Sequence, residues 1–181
     1  VLKELLQTER NYVRDLKILV EVFLKPLKKE AKLLSPDEVE TLFGNIEEIY
    51  EFHRIFLDEL EKRVEEWDDS GDRIGDVFLK LEELFKIYSE YCSNHPDALE
   101  LLKKLKKKNK RFQKFLKEIE SNPNCRRLEL ESLLLKPVQR LTKYPLLLKE
   151  LLKHTPPDHE DREDLKKALD AIKELASQVN E

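Results

Sequence analysis

Methionine is absent from these 181 residues, glycine occurs three times and cysteine twice. So few glycines leave little material for the tight turns of an all-β fold, and no GxxxxGK[ST] string occurs, so nucleotide binding by this chain is set aside. Cys92 and Cys125 have no Cys or His at ligand spacing. Neither a disulfide framework nor a zinc site is expected, and both are read as reduced, structural thiols. No apolar run approaches the roughly 20 residues that cross a bilayer, and no charged-then-apolar leader opens the chain. A cytoplasmic protein without a transmembrane segment is expected. A dominant sign of charge is missing as well: 34 basic and 38 acidic residues give a net −4 and are spread along the chain, which argues against a nucleic-acid surface. His53, His95, His154 and His159 fall on different expected elements without a cysteine nearby, so no metal, cofactor or nucleophile site is expected. The chain opens on Val1, which reads as a segment whose flanking domains lie elsewhere.

What is present is charge and apolar surface in equal measure, each 40 % of the residues. With so little glycine, that balance points to an all-α fold of long amphipathic helices in a single domain over residues 1–181. Apolar residues at helical spacing predict a first helix over 1–29, with Pro26 a kink or early stop. Ser35 as N-cap and Pro36 at the first helical position predict a second helix running to about Trp67. The stretch from Asp68 to Asp72 is the clearest loop. A third helix is expected from Ile74 to near Asn94, a restart at His95-Pro96, a break at Asn109, and a turn at Asn122-Pro123-Asn124. Lys136-Pro137 is expected to be a joint before a helix to Lys153, bent at Pro145 unless packing absorbs it. Thr155-Pro156-Pro157 closes it, and a last helix carries Leu165 to Val179.

Three features stand out from this pattern. Glu9 falls at the centre of the apolar arc of the first helix, where an unpaired charge is costly. Either it pairs internally with a Lys or Arg, or it lies where the domain leaves its apolar face open to a partner. Leu146 sits on a mixed stripe with Gln139, Lys143 and Glu150. Lys103, Lys104, Lys106, Lys107, Lys108, Lys110 and Arg111 form the only strong charge run, either a solvated helix face or a surface for anionic lipid or an acidic partner.

Three stretches together resemble a known family: Glu4-Leu5-Leu6-Gln7-Thr8-Glu9-Arg10-Asn11-Tyr12-Val13, Phe78-Leu79-Lys80-Leu81 through Tyr91-Cys92, and Leu135-Lys136-Pro137-Val138-Gln139-Arg140-Leu141-Thr142-Lys143-Tyr144-Pro145-Leu146. They are similar to the blocks of the Dbl-homology domain of guanine-nucleotide exchange factors for Rho-family GTPases, in order over essentially the whole chain. The resemblance implies an elongated bundle of about six main helices whose first and last blocks form the GTPase-binding face. It implies that Glu9 contacts the first switch, that Lys143 meets the acidic second switch, and that Asn180 lies beside it. Arg127, Leu135, Gln139 and Thr142 would tune the choice of GTPase, and Arg140 would be internal support. The expected activity displaces magnesium and nucleotide without covalent chemistry. A pleckstrin-homology domain, which usually follows in the family, is expected in a natural parent chain and is not contained in this one. The even match to the family's average, with short loops and no insertions, also fits a consensus-designed bundle, a de novo protein that keeps the fold with little or no exchange.

Overall fold

The computed structural model describes residues 2–29, 33–65, 74–121 and 129–179. Among them there is no strand, and the all-α expectation holds. The helices are α1 (Leu2–Ile18), α2 (Lys25–Lys29), α3 (Pro36–Phe43), α4 (Ile46–Glu65), α5 (Gly75–Phe78), α6 (Leu84–Lys108), α7 (Lys110–Glu120), α8 (Leu130–Lys153) and α9 (Asp161–Val179). Six of them, α1, α4, α6, α7, α8 and α9, run eleven residues or more. α6 lies centrally, touching α3, α4, α7, α8 and α9, and one apolar cluster draws side chains from every helix. The accessible surface of 10778 Å² exceeds the roughly 9,200 Å² of a compact monomer of this mass, as an elongated bundle requires.

The prolines act differently from their local rule. Pro26 neither stops nor visibly breaks the first helix; the turn before it, Leu19–Leu24, widens into a π-helix and Lys25 N–H reaches back to the Val20 carbonyl. α6 runs unbroken through Pro96, and α8 through both Pro137 and Pro145, so the expected restart at His95 and joint at Lys136 do not occur. Just before Pro137 the Tyr91 hydroxyl donates to the Leu134 carbonyl and ties α8 to α6.

Polar caps fall where the sequence marks them. Ser35 Oγ accepts from Glu38 N–H at 3.1 Å while Glu38 accepts from Ser35 N–H at 2.9 Å, a reciprocal capping box. The helix it opens stops early. Gly44, at φ +56°, divides the expected second helix into α3 and α4, and Asn45 and Asn94 seal the corner onto the Ile87 and Thr41 carbonyls. Asn109 ends α6 and caps α7, as its position between two apolar patterns predicts. The expected loop at 68–72, Trp67, the turn at 122–124 and Cys125 lie outside the described residues. Cys92 is half-buried, and burial pushes its thiol up to about 11, which keeps it protonated and unreactive.

The buried carboxylate of Asp161, first residue of α9, caps α5 from across the bundle. It accepts from Ile74 N–H at 2.8 Å and Gly75 N–H at 2.9 Å. A Cβ on Gly75 would lie 2.8 Å from Asp164 Cβ and 3.0 Å from the Asp161 carbonyl oxygen, so only glycine allows this approach. Gly75→Ala is expected to cost about 1–3 kcal/mol, the scale of an overpacked contact. Urea unfolding followed by circular dichroism measures it.

Candidate GTPase-binding surface

α1 and α8 pack antiparallel: Glu9 meets Arg140 and Tyr144, while Asp15, further along α1, meets Lys136, earlier on α8, at 3.9 Å. Apolar residues drive the packing, with Leu5, Leu16, Leu141 and Leu148 fully or almost fully buried. Glu9 is buried with them, at 0 % exposure. Its Oε2 accepts from Arg140 at 2.6 Å and from the Tyr144 hydroxyl at 2.7 Å, and its Oε1 accepts from His53 Nδ1, on α4, at 2.7 Å. His53 Nε2 contacts the Tyr88 hydroxyl at 2.6 Å, which meets the Tyr12 hydroxyl at 2.7 Å. The Arg140 guanidinium lies 4.5 Å from the centre of the Tyr144 ring, a cation–π contact inside the bundle. Arg140 Nε alone has no partner in this network.

This geometry corrects the role expected for Glu9. The carboxylate is sealed inside and neutralised, so it does not project toward a partner; the internal pairing that the sequence left open is the one adopted. Burial by itself would raise its pKa, but the attraction and hydrogen bond of His53, the Arg140 charge and the Tyr144 hydroxyl outweigh burial and hold it at about 2. Burial raises the Tyr12, Tyr88 and Tyr144 hydroxyls well above their ordinary range, so all three remain protonated. Arg140 provides the internal support expected of it. His53 was missed, although Ile49, His53, Phe56 and Leu60 fall at helical spacing on one apolar face of α4, the place of a core histidine.

Outside this layer the two helices leave a groove of about 260 Å³, lined by Thr8, Asn11 and Asp15 on one side and Lys136, Gln139 and Lys143 on the other. Gln139, Thr142 and Lys143 are exposed and Leu135 is half-buried. Among the described residues Lys143 has no acidic partner within salt-bridge range. Leu146, one turn further, is 69 % exposed, the largest value for a bulky apolar residue among those described. Glu4 is exposed too, and it continues the α1 stripe of Thr8, Asn11 and Asp15 at i, i+4, i+7 and i+11. Arg127 and Asn180 lie outside the described residues. No group of acidic, His or Cys side chains suited to a metal occurs among the described residues, and no described helix is long and apolar enough to cross a membrane.

The RhoGEF domain family model matches residues 1–180. The chain belongs to the RhoGEF family, whose exchange module is the Dbl-homology domain. The RhoGEF domain is 41 % identical over 181 residues to the Myosin-M heavy chain of Dictyostelium discoideum, covering all of this chain and 10 % of that one. It is 39 % identical over 187 residues to human Rho guanine nucleotide exchange factor 4, of which it covers 26 %. The chain thus spans about a quarter or less of these relatives. Its fold superposes with a TM-score of 0.90 on the linker-DH/PH domains of p115-RhoGEF, at 37 % identity over 99 % of this chain and 54 % of that one. The same score relates it to a DH/PH fragment of PDZRHOGEF crystallised in complex with human RhoA, at 38 % identity over 99 % of this chain and 52 % of that one.

A carboxyl held below its unfolded-state value stabilises the fold fully above about pH 4.5, and that contribution is lost as pH falls toward about 2. The shift corresponds to about 3 kcal/mol. Removing the acid also strands the buried Arg140 charge, so Glu9→Ala is expected to cost about 3–5 kcal/mol at neutral pH. Lys143→Ala, at an exposed site, is expected to stay within about 0.5 kcal/mol. Urea titrations at several pH values test both, and the acid-side loss in the parent should be smaller in Glu9→Gln.

Proposed function

We propose that this RhoGEF domain accelerates nucleotide release from a Rho-family GTPase by gripping its switch regions with the outer face of α1 and α8. The observation that carries the reading is the family match over residues 1–180 joined to an exposed Lys143, without an acidic partner among the described residues, on the groove between those helices. The PDZRHOGEF fragment of the same fold, crystallised with RhoA, supports the choice of partner class.

The acid that faces the first switch is Glu4 in this reading, in place of Glu9. Glu4 stands five residues, about 7 Å along the helix axis, before Glu9 and points outward on the stripe that borders the groove. Lys143 meets the acidic second switch, Leu146, one turn along α8, supplies an apolar anchor, and Asn180 is the further contact that the family resemblance implies. Leu135, Gln139 and Thr142 border the same face and, with Arg127, set the preference among GTPases.

Release follows from differential affinity. A partner that binds the loaded and empty GTPase equally well shifts nothing, and moving a two-state equilibrium from 1:99 to 99:1 takes roughly 5.5 kcal/mol of preference for one state. An interface of about 1,200–2,000 Å² with a carboxylate and an ammonium directed at mobile switches can hold a conformation incompatible with magnesium and nucleotide. The domain then stabilises the empty form until a new nucleotide displaces it. Every step is a binding step, and no bond is made or broken.

The domain is expected to accelerate release of fluorescent GDP from at least one member of a Rho, Rac and Cdc42 panel. Glu4→Ala and Lys143→Ala are each expected to slow exchange by about tenfold or more, the scale of one lost charge-assisted contact, with melting temperature unchanged. A cooperative melt with no GTPase binding across the panel would instead identify a consensus bundle that keeps the fold alone.

A further inference from the structure

From residue 103 to residue 117 the chain holds nine lysines and arginines and no acid, although its overall charge is −4. The structure gathers them at one corner. α6 ends in Lys106, Lys107 and Lys108, Asn109 turns the chain, and α7 sets off with Lys110 and Arg111. The corner is pinned: Asn109 Oδ1 accepts from Phe112 N–H at 3.0 Å, its Nδ2 donates to the Leu33 carbonyl at 3.0 Å, and the Gln113 amide donates to the Lys106 carbonyl. Lys106 is half-buried and the other eight cations are exposed. Among the described residues none of the nine takes part in an ion pair.

A merely solvated face would be built differently. Elsewhere on this surface exposed cations meet acids, as in Arg54 with Glu51, Lys62 with Asp58 and Lys167 with Glu163. At the corner the helix neighbours four residues apart are Lys103 with Lys107, Lys104 with Lys108 and Lys110 with Lys114, like charges that weaken a helix, and acids at that spacing, Glu100 and Glu118, stand only at the two ends of the run. Retaining that repulsion with acids only at the ends of the run produces a field dominated by one sign. Next to it lies an open notch with Pro26, Leu33 and Phe115, all half-buried, in its lining and Arg111, Lys114 and one acid, Glu118, at its rim.

We infer that the α6–α7 corner docks on an anionic lipid bilayer. A broad cationic ridge beside an apolar notch matches charged headgroups above hydrocarbon. A nucleic acid would satisfy the charge and leave the apolar lining unused, and the open notch offers no enclosed pocket for the side chains of an acidic peptide. The corner is tied to Leu33, just beyond α2, whereas the groove lies beside Glu9. The twenty residues from Glu9 to Lys29 correspond to about 30 Å of helix, so a bilayer at the corner leaves the α1–α8 face free.

Co-sedimentation of the whole chain with phosphatidylcholine vesicles, with and without phosphatidylserine, tests the inference. Binding is expected to phosphatidylserine vesicles at low salt, to vanish in their absence, and to weaken as salt rises. Lys107→Glu/Lys110→Glu/Lys114→Glu is expected to weaken it by about tenfold or more while helicity, melting temperature and GDP exchange stay as in the parent. Absence of binding at low salt, or equal binding by the triple variant, overturns the inference. Polyglutamate or duplex RNA binding more tightly than the vesicles under the same conditions also overturns it, and assigns the corner to a soluble polyanion.

Discussion

The bundle depends on one acid placed where acids are rarely tolerated. Glu9 on α1 is completely enclosed, and it is tolerable there because α8 contributes Arg140 and Tyr144 while α4 contributes His53. Each partner comes from a helix distant in sequence, so the charge can be satisfied only when α1, α4 and α8 meet in one register. Slide α8 by a single turn and Arg140 and Tyr144 no longer both reach the carboxylate in the places they now fill. A set of leucine-rich helices has many near-equivalent ways to pack, and a satisfied polar cluster at its centre penalises the alternatives. Arg140 deepens the constraint, because it is itself buried and has only this cluster to neutralise it.

That internal constraint also shapes the outer surface. With Glu9 and Arg140 turned inward, the next positions on each helix, Thr8 and Asn11 on α1 and Gln139 and Lys143 on α8, are carried outward and opposite one another. The clamp and the groove are therefore two sides of one helix pair: the inner side fixes the alignment, and the proposed GTPase-binding face relies on it. Rigid helices suit such a role, since side chains on them are held more exactly than on loops. The basic corner belongs to a different part of the frame, built by the Asn109 cap and its tie to Leu33, and can engage a surface without disturbing the first.

Much of this was legible in the residues, and the failures share a cause. Helical periodicity located most of the helices, and Ser35, Asn109 and the Thr155-Pro156-Pro157 segment marked ends that the structure has. Pro96 and Pro137 misled because their local rule concerns a lone helix, whereas here neighbouring helices pack against it; Pro145, expected inside the helix, lies there. Gly44 marked a real break that the continuous apolar pattern around it concealed. At the site, a glutamate on an apolar arc announced that something unusual occurred there, and two solutions were open. The family resemblance pointed to the outward one. The deciding facts, a histidine on the core face of α4 and an arginine 131 residues away, are contacts between helices that one-helix periodicity does not supply.

The account is tested most directly by observing the Glu9 carboxyl itself. Carbon-13 NMR of the labelled side chain, recorded on the free domain and again with a stoichiometric nucleotide-free Rho-family GTPase, separates an internal clamp from a contact residue. An ionised Glu9 whose shift stays the same when the GTPase binds, while the Glu4 signal moves, is what the geometry predicts. A Glu9 signal that titrates near pH 4.5 in the free domain, or that moves on complex formation while Glu4 stays fixed, would contradict it.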